Sequence, residues 1–321
     1  MGERERVAML ARVLGQVTPA RGASDVVQLG IGDDCAVLRA RTDGLVLSVD
    51  SVVEHVHFRR AWLTFEQLGY KATMGALSDL AAMGAAPLGV LSSLILPRDV
   101  DDDALEALAR GQAQACQEAG TSVVGGNLAR GEALSITTTV IGDAPTPLRR
   151  DGARPGDAVV VAGPLGLAAA GLRALLTDRA GDPVFEPALA AWRRPRARLD
   201  DGRRLARLAT AAIDVSDGLA LDLTRMADAS GCKVVLSAEA LVDARLPPIA
   251  AALGVDPLEL AVSGGEDYAL LATVPHDAEL AGLARVGRCA AGEGVVLERA
   301  SGEPTAVQPA GWDHFAPADD G

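Results

Sequence analysis

Aromatic side chains are scarce in this chain: four Phe, two Tyr and three Trp stand among 321 residues. The interior therefore has to be built from Ala, Val and Leu, and there is little from which to make a stacking platform for sugars. Lysine is scarcer still, occurring only as Lys71 and Lys233, although Arg is abundant. A net charge of −13 leaves no basic excess, which argues against a nucleic-acid or anionic-membrane surface, because either needs a basic patch. The cysteines at 35, 116, 232 and 289 are far apart and form no CxxC pair. Neither a zinc ribbon nor a disulfide framework is expected, and a reducing cytosol fits. MGERERVAMLARVLG reads as an amphipathic helix with early charges rather than a signal peptide. The apolar stretch from Leu80 to Pro97 is punctuated by Gly84, Pro87 and Gly89, so a helix end followed by a buried strand is expected there instead of a transmembrane helix. These features point to a cytoplasmic protein without membrane partners.

Common nucleotide-binding signatures are also missing. Lys71 is followed by Ala and Lys233 by Val, and neither has the glycines that a P-loop places before its Lys. Gly30-Ile-Gly-Asp-Asp-Cys lacks the third glycine of a dinucleotide fingerprint, and no HRD or DFG pattern of a protein kinase occurs.

What the chain has is a regular alternation of strand-like and helix-like segments. Residues 26–60 alternate apolar runs with turn residues, as successive strands do. FEQLGYKATMGALSDLAAMG at 65–84 has helical spacing, and PLGVLSSLILP returns to a strand. DVDDDALEALARGQAQACQEAG is a helix whose Asp101, Asp102 and Asp103 complement the dipole in its first turn. A strand TSVVGG, a loop NLARGE and a strand ALSITTTVIG follow. The Pro/Arg-rich link DAPTPLRRDGARPGD at 143–157 divides the chain into domains 1–145 and 146–321. Beyond it come a strand, the glycine loop GPLGL and a helix, then a helix through the 190s and 200s. IDVSDGL opens the helix LALDLTRMADASG, and a strand VVLS, a Pro-rich loop and the AVSGGEDYALLATV strand unit complete the pattern. The expected class is α/β or α+β in two domains.

Carboxylates recur inside apolar, often glycine-flanked runs: LGIGDDCAVL at 29–38, LSVDSV at 47–52, ALSDLAAM at 76–83, AIDVSDGLALDL at 212–223 and SGGEDYALL at 263–271. Two like charges about 4 Å apart repel by about 4 kcal/mol at an effective dielectric near 20, so such groups converge only around cations. Mg²⁺ takes oxygen ligands and shares its shell with phosphates, which fits acidic loops flanked by glycines. Glycoside hydrolysis also uses paired carboxylates, but normally with the aromatic platforms this chain lacks.

Seven segments together resemble the thiamine-monophosphate kinase family, of the superfamily that includes aminoimidazole ribonucleotide synthetase and selenophosphate synthetase. They are LGIGDDCAVL, SVDSVVEHVHF, GYKATMGALSDLAAMGAAPLG, VVGGNLARG, AIDVSDGL, SGGEDYALL and GWDHF, spread from residue 29 to 315. The resemblance implies transfer of the γ-phosphoryl of ATP to thiamine monophosphate, giving thiamine diphosphate and ADP. It implies an aminoimidazole ribonucleotide synthetase-like fold. Its N-terminal mixed sheet would bind ATP and metal and pair across a homodimer, and its C-terminal α+β domain would close the site. Several Mg²⁺ ions are implied at Asp34, Asp50, Asp79, Asn127, Asp214 and Asp217, with Ser48 and the backbone of Val49 assisting. Asp214 and Asp217 are the implied catalytic centre. Gly126, Asn127, Arg150 and Ser216 would face ATP, and His57, Glu266 and Trp312 would hold thiamine monophosphate. One departure is visible: many members read GGD followed by two threonines, where this chain has Gly125-Gly126-Asn127-Leu128-Ala129.

Each site has a plainer alternative. Asp33 and Asp34 make a turn as readily as a metal site. Ser216 and Asp217 would serve as an N-cap for the following helix, and a helix N-terminus also receives phosphate. Asp222 reads as solvated. His55 and His57, two apart on a strand, share a face, and zinc there would lack a third ligand. Trp312 has C-terminal packing as its alternative, and GPLGL is a phosphate cradle or a simple strand-to-helix turn. Among rival functions, selenophosphate synthesis needs a reactive Cys with a nearby Lys, but no Lys precedes Lys71. The hydrogenase-maturation relative ends in a reactive cysteine, whereas this chain ends ADDG. A non-catalytic divalent-cation binder would leave VVGGNLARG and GWDHF unexplained.

Overall fold

The structure, a computed structural model, describes residues 3–15, 27–29, 37–38, 44–279, 283–309 and 311–312. Asp33, Asp34 and Cys35 lie outside the described residues. In chain order the first elements are α1 (Glu3–Leu14), β1 (Val27–Leu29), β2 (Val37–Leu38), β3 (Leu45–Val53), α2 (Phe65–Ala82), β4 (Ala86–Leu96), α3 (Asp102–Ala119), β5 (Val123–Arg130) and β6 (Ser135–Asp143). After the Pro/Arg-rich link come β7 (Ala158–Ala162), α4 (Leu167–Leu176), α5 (Glu186–Arg193), α6 (Leu199–Leu205), β8 (Ala211–Val215) and α7 (Leu219–Ser230). The last are β9 (Lys233–Ser237), α8 (Ala238–Leu241), α9 (Leu246–Leu253), α10 (Pro257–Ser263), β10 (Ala269–Val274), β11 (Ala284–Ala290), β12 (Val295–Glu298) and β13 (Thr305–Ala306).

Two compact units result, residues 1–147 with 193–206 and residues 148–192 with 207–321. The stretch 193–206 packs with the first unit, not with the residues that follow the 143–157 link. Gly202 of α6 lies so close to α2 that a Cβ there would sit 2.1 Å from the Ala81 carbonyl oxygen. The single helix expected through the 190s and 200s is two, α5 and α6, because Pro195 interrupts the pattern between them.

In the first unit a four-stranded sheet runs in the order β3-β6-β4-β5, with only β4 and β5 parallel. Local chemistry starts and stops its helices. Thr64 and Gln67 form a reciprocal capping box at the start of α2. Asp101 accepts the Ala104 amide at the start of α3, and Gly120, left-handed at φ 71°, ends it. The two helices meet backbone to backbone: a Cβ on Gly111 would lie 1.9 Å from the Glu66 carbonyl oxygen. NLARGE is not all loop, since β5 continues through Asn127 to Arg130 along β4.

The second unit is built on a seven-stranded mixed sheet in the order β13-β12-β9-β11-β7-β10-β8. Strands β7, β8 and β10 are buried along their whole lengths and read as nearly continuous apolar runs, as strands covered on both faces do. Asp214 is the one charged residue in these three strands. With antiparallel and parallel pairs in both sheets the class is α+β. Cys116, Cys232 and Cys289 are free and buried, and burial pushes the Cys116 thiol up to about 12. Among the described residues no single helix is long and apolar enough to cross a membrane.

Candidate active site

In the first unit the period of two along β3 divides its side chains between faces. Leu45, Leu47 and Val49 are exposed at 58, 59 and 63%, while Ser48 and Asp50 take the alternate face. There the Ser48 hydroxyl donates to the Asp79 carboxylate, which projects from the last turn of α2. Asp50 accepts its neighbour's amide, Ser51 N–H, at 2.8 Å. The register aligns Asp50 with Thr138, Thr138 with Ser92, and Ser92 with Gly126, and residues directly opposite share a face. In this row the Thr138 hydroxyl is buried and has no hydrogen-bond partner among the described residues. Gln112 of α3 donates to the Ser92 hydroxyl at 2.8 Å. Gly126 is required by the close approach of β4, since a Cβ would meet the Ser92 carbonyl oxygen at 1.8 Å.

Asn127 belongs to the next row, Ser51–Thr137–Ser93–Asn127, in which the Ser51 and Thr137 hydroxyls are 2.8 Å apart. Strand β3 thus sets Ser48 and Asp50 on one face, where Asp79 meets Ser48, and the register sets Asn127 on the alternate face. Val49, whose backbone was the expected donor, sends its side chain to solvent.

His55 and His57 are not on a strand, as β3 stops at Val53. The chain doubles back there through hydrogen bonds from His55 N–H to Phe58 and from Val56 and His57 N–H to Val53, and His55 is left-handed at φ 68°. His57 Nδ1 accepts the Val53 amide at 3.1 Å, which leaves Nε2 as the protonated nitrogen of the neutral ring.

In the second unit β8 carries Asp214 to the end of the sheet and the chain turns through Ser216, Asp217 and Gly218. This turn is not capped by Ser216 or Asp217. Gly218, at φ 133°, is the N-cap residue of α7 and makes no side-chain cap. Asp222, in the first turn of α7, supplies it from inside: its Oδ2 accepts the amides of Ser216, Asp217 and Gly218 at 3.1, 3.0 and 3.2 Å. Asp222 is 1% exposed, not solvated. Burial and the nearby Asp217 charge push its carboxyl up. Arg225 offsets this by donating to Asp222 Oδ1 and Asp217 Oδ2, both at 2.7 Å.

The same turn is held from two other segments. The Glu266 amide donates to the Ser216 carbonyl at 2.7 Å, and the Trp312 amide donates to the Asp217 carbonyl at 3.0 Å. Gly265 permits this approach, since a Cβ there would meet the Ser216 oxygen at 2.7 Å. Glu266 and Tyr268 are both left-handed, at φ 62° and 48°, a conformation side chains disfavour and surrounding contacts must impose. Asp267, buried, accepts the Gly166 and Ala168 amides at 2.5 and 3.1 Å. GPLGL is therefore a strand-to-helix turn whose amides are accepted by the protein's own carboxyl group. Burial pushes Asp267 up to about 7, against these two amide donors and reinforced by the Glu266 charge. Trp312 is 52% exposed, more than a core packing residue would be, and Arg150 is exposed with its carbonyl accepting the Ser230 hydroxyl at 2.8 Å.

Among the described residues no three His, Cys, Asp or Glu side chains are gathered as a metal site. The expected donors divide between the units, with Ser48, Asp50 and Asp79 in one, Asp214 and Asp217 in the other, and Asp34 outside the described residues. The donor set consists of oxygens alone, and the unpartnered Thr138 hydroxyl faces the same side as Asp50, which is chemistry that fits a hard cation. Arg225 and Asp267 escaped sequence reasoning because nothing in the chain pairs them with their partners. For Asp222 the signal was present, as an acidic residue four places after Gly218 at a helix start.

Residues 32–144 match the AIR synthase related protein N-terminal domain, and residues 154–305 match the corresponding C-terminal domain. The thiamine-monophosphate kinase of Aquifex aeolicus is 37% identical over 289 residues, covering 89% of this chain and 92% of that one. That of Escherichia coli K12 is 38% identical over 331 residues, covering 96% and 98%. The solved complex of AaThiL with AMPPCP and TMP superposes with a TM-score of 0.80 at 32% identity, covering 98% of this chain and 97% of that one.

Proposed function

The chain belongs to the thiamine-monophosphate kinase family of AIR synthase related proteins, and we propose that it phosphorylates thiamine monophosphate with ATP, yielding thiamine diphosphate and ADP. The observation that carries this reading is the clamped turn at 216–218. The two segments expected to hold the substrate, at Glu266 and Trp312, are hydrogen-bonded to the backbone of the turn expected to handle phosphate. The relatives' names and the AMPPCP and TMP in the AaThiL complex support the same chemistry.

In this reading Ser48, Asp50, Asp79, Asp214 and Asp217 would hold Mg²⁺, with Asp34, Asn127 and the Val49 backbone adding oxygens. Bound Mg²⁺ supplies charge that offsets repulsion between the two anionic reactants and orients them for in-line displacement. Gly126, Ser216 and Arg150 face the ATP phosphates. Glu266 would place a carboxylate against the cationic thiazolium, Trp312 would cover the ring and His57 would be a further substrate contact. Little proton transfer is asked of the protein, because a phosphate monoester is already largely ionised near neutral pH.

A homodimer in the cytoplasm completes the reading. Exposed Leu45, Leu47 and Val49 on one face of β3 form an apolar strip of the kind that marks an interface. Light scattering at working concentration tests this part. The activity is tested by supplying ATP and Mg²⁺ with either thiamine monophosphate or thiamine. The reading requires ADP and thiamine diphosphate from the monophosphate; AMP formed from thiamine would identify a pyrophosphokinase instead.

A further inference from the structure

The Glu266 carboxylate is held from the core. Its Oε2 accepts the indole N–H of Trp192 at 2.5 Å, and Trp192, on α5, has 0% of its surface exposed. An indole N–H can only donate, and a buried one needs an acceptor. The core of this unit offers that donor a carboxylate belonging to a residue whose backbone is left-handed at φ 62° and whose amide is fixed to the Ser216 carbonyl at 2.7 Å. The main chain of Glu266 is thus set by the 216–218 turn and its side chain by α5. Such double anchoring of a charged group is more than packing requires, because a Phe would fill the same space without a donor.

Resting on the reading of Glu266 as a thiamine-monophosphate contact, we infer that Trp192 is a positioning residue that aims the Glu266 carboxylate at the cationic thiazolium. It sets affinity for the thiamine substrate without touching it. The physical gain is preorganisation: a carboxylate held by a buried donor before the substrate arrives meets a fixed cation with less of the ordering cost that a free Glu side chain would add on binding.

Trp192→Phe removes the donor and keeps the ring. Its KM for thiamine monophosphate should rise about threefold to tenfold, as expected when one side chain must be ordered on binding, with kcat and the KM for ATP unchanged. Glu266→Gln should raise the same KM, and the double variant should be no worse than Glu266→Gln alone, because Trp192 acts through Glu266. An unchanged KM in Trp192→Phe, or losses that add in the double variant, overturns the inference. Absence of wild-type turnover of thiamine monophosphate would instead refute the functional reading on which it rests. Should Trp192→Phe fail to fold, the wild-type protein decides by NMR: saturation with thiamine monophosphate should shift the Trp192 indole N–H resonance, and ATP alone should not. An indole resonance unmoved at saturation overturns the inference.

Discussion

Asp222 Oδ2 accepts the main-chain N–H of Asp217 at 3.0 Å, and the same oxygen also takes the amides of Ser216 and Gly218. One buried carboxylate thereby fixes three consecutive peptide planes of the turn that presents Asp217. Asp222→Ala would take away the one carboxylate oxygen that all three donors share, at a position only 1% exposed. Turnover should fall at least about 10²-fold, roughly 3 kcal/mol of barrier, and unfolding free energy by about 1–3 kcal/mol. Asp222→Asn, which keeps an acceptor oxygen, should lose less of both. Wild-type turnover in Asp222→Ala would show that the turn needs no such support.

Asp79 accepts the Ser48 hydroxyl on the face of β3 that also carries Asp50. Asp79→Asn preserves the shape and the acceptor but removes a negative charge. Turnover at limiting Mg²⁺ should drop at least about 10²-fold, while the melting temperature holds or rises as carboxylate repulsion is relieved. Near-normal turnover at limiting Mg²⁺ would remove Asp79 from the site.

Trp312 is half in solvent, and its backbone amide donates to the Asp217 carbonyl. Trp312→Ala should therefore leave stability unchanged and raise the KM for thiamine monophosphate, with the KM for ATP unaffected. Loss of folding, or no change in either constant, would contradict a role in covering the substrate ring.

Asp267 links pH to stability. Burial raises its folded-state carboxyl to about 7, whereas an unfolded Asp titrates near 4. Between those values the folded protein holds the extra proton, so this group's contribution to stability is present at low pH and is lost as pH rises through about 7. Asp267→Asn cannot ionise. The melting temperature of the wild type relative to this variant should decline from about pH 4 to about pH 7. A difference that stays constant across the window would show that Asp267 does not titrate there.

The periodic parts of the fold were legible because burial writes them directly into side-chain order. The helix around Asp79 and the strand carrying Ser48 and Asp50 follow from spacing, whereas the wholly buried strand β8, which carries Asp214, does not, because IDVSDGL reads as the opening of the helix after it. Spacing did not reveal long-range pairing. The solvated appearance of Asp222 came from its helical position, but its burial depends on amides that fold back over it. The run that leads to His55 and His57 reads as strand because it is apolar up to Val53, and the turn after it has no glycine to announce it. GPLGL resembles a phosphate loop until Asp267, 101 residues away from Gly166, supplies the acceptor. Trp192 meets Glu266 across 74 residues, and no local pattern connects them.

The central claim is direct transfer of the ATP γ-phosphoryl group to thiamine monophosphate. ATP labelled in the γ-phosphate, incubated with the protein, Mg²⁺ and unlabelled thiamine monophosphate, tests it most directly. The account predicts label only in the terminal phosphate of thiamine diphosphate, unlabelled ADP in equal amount and no labelled protein. Label retained on the protein, appearing only as inorganic phosphate, or accompanied by AMP would contradict it.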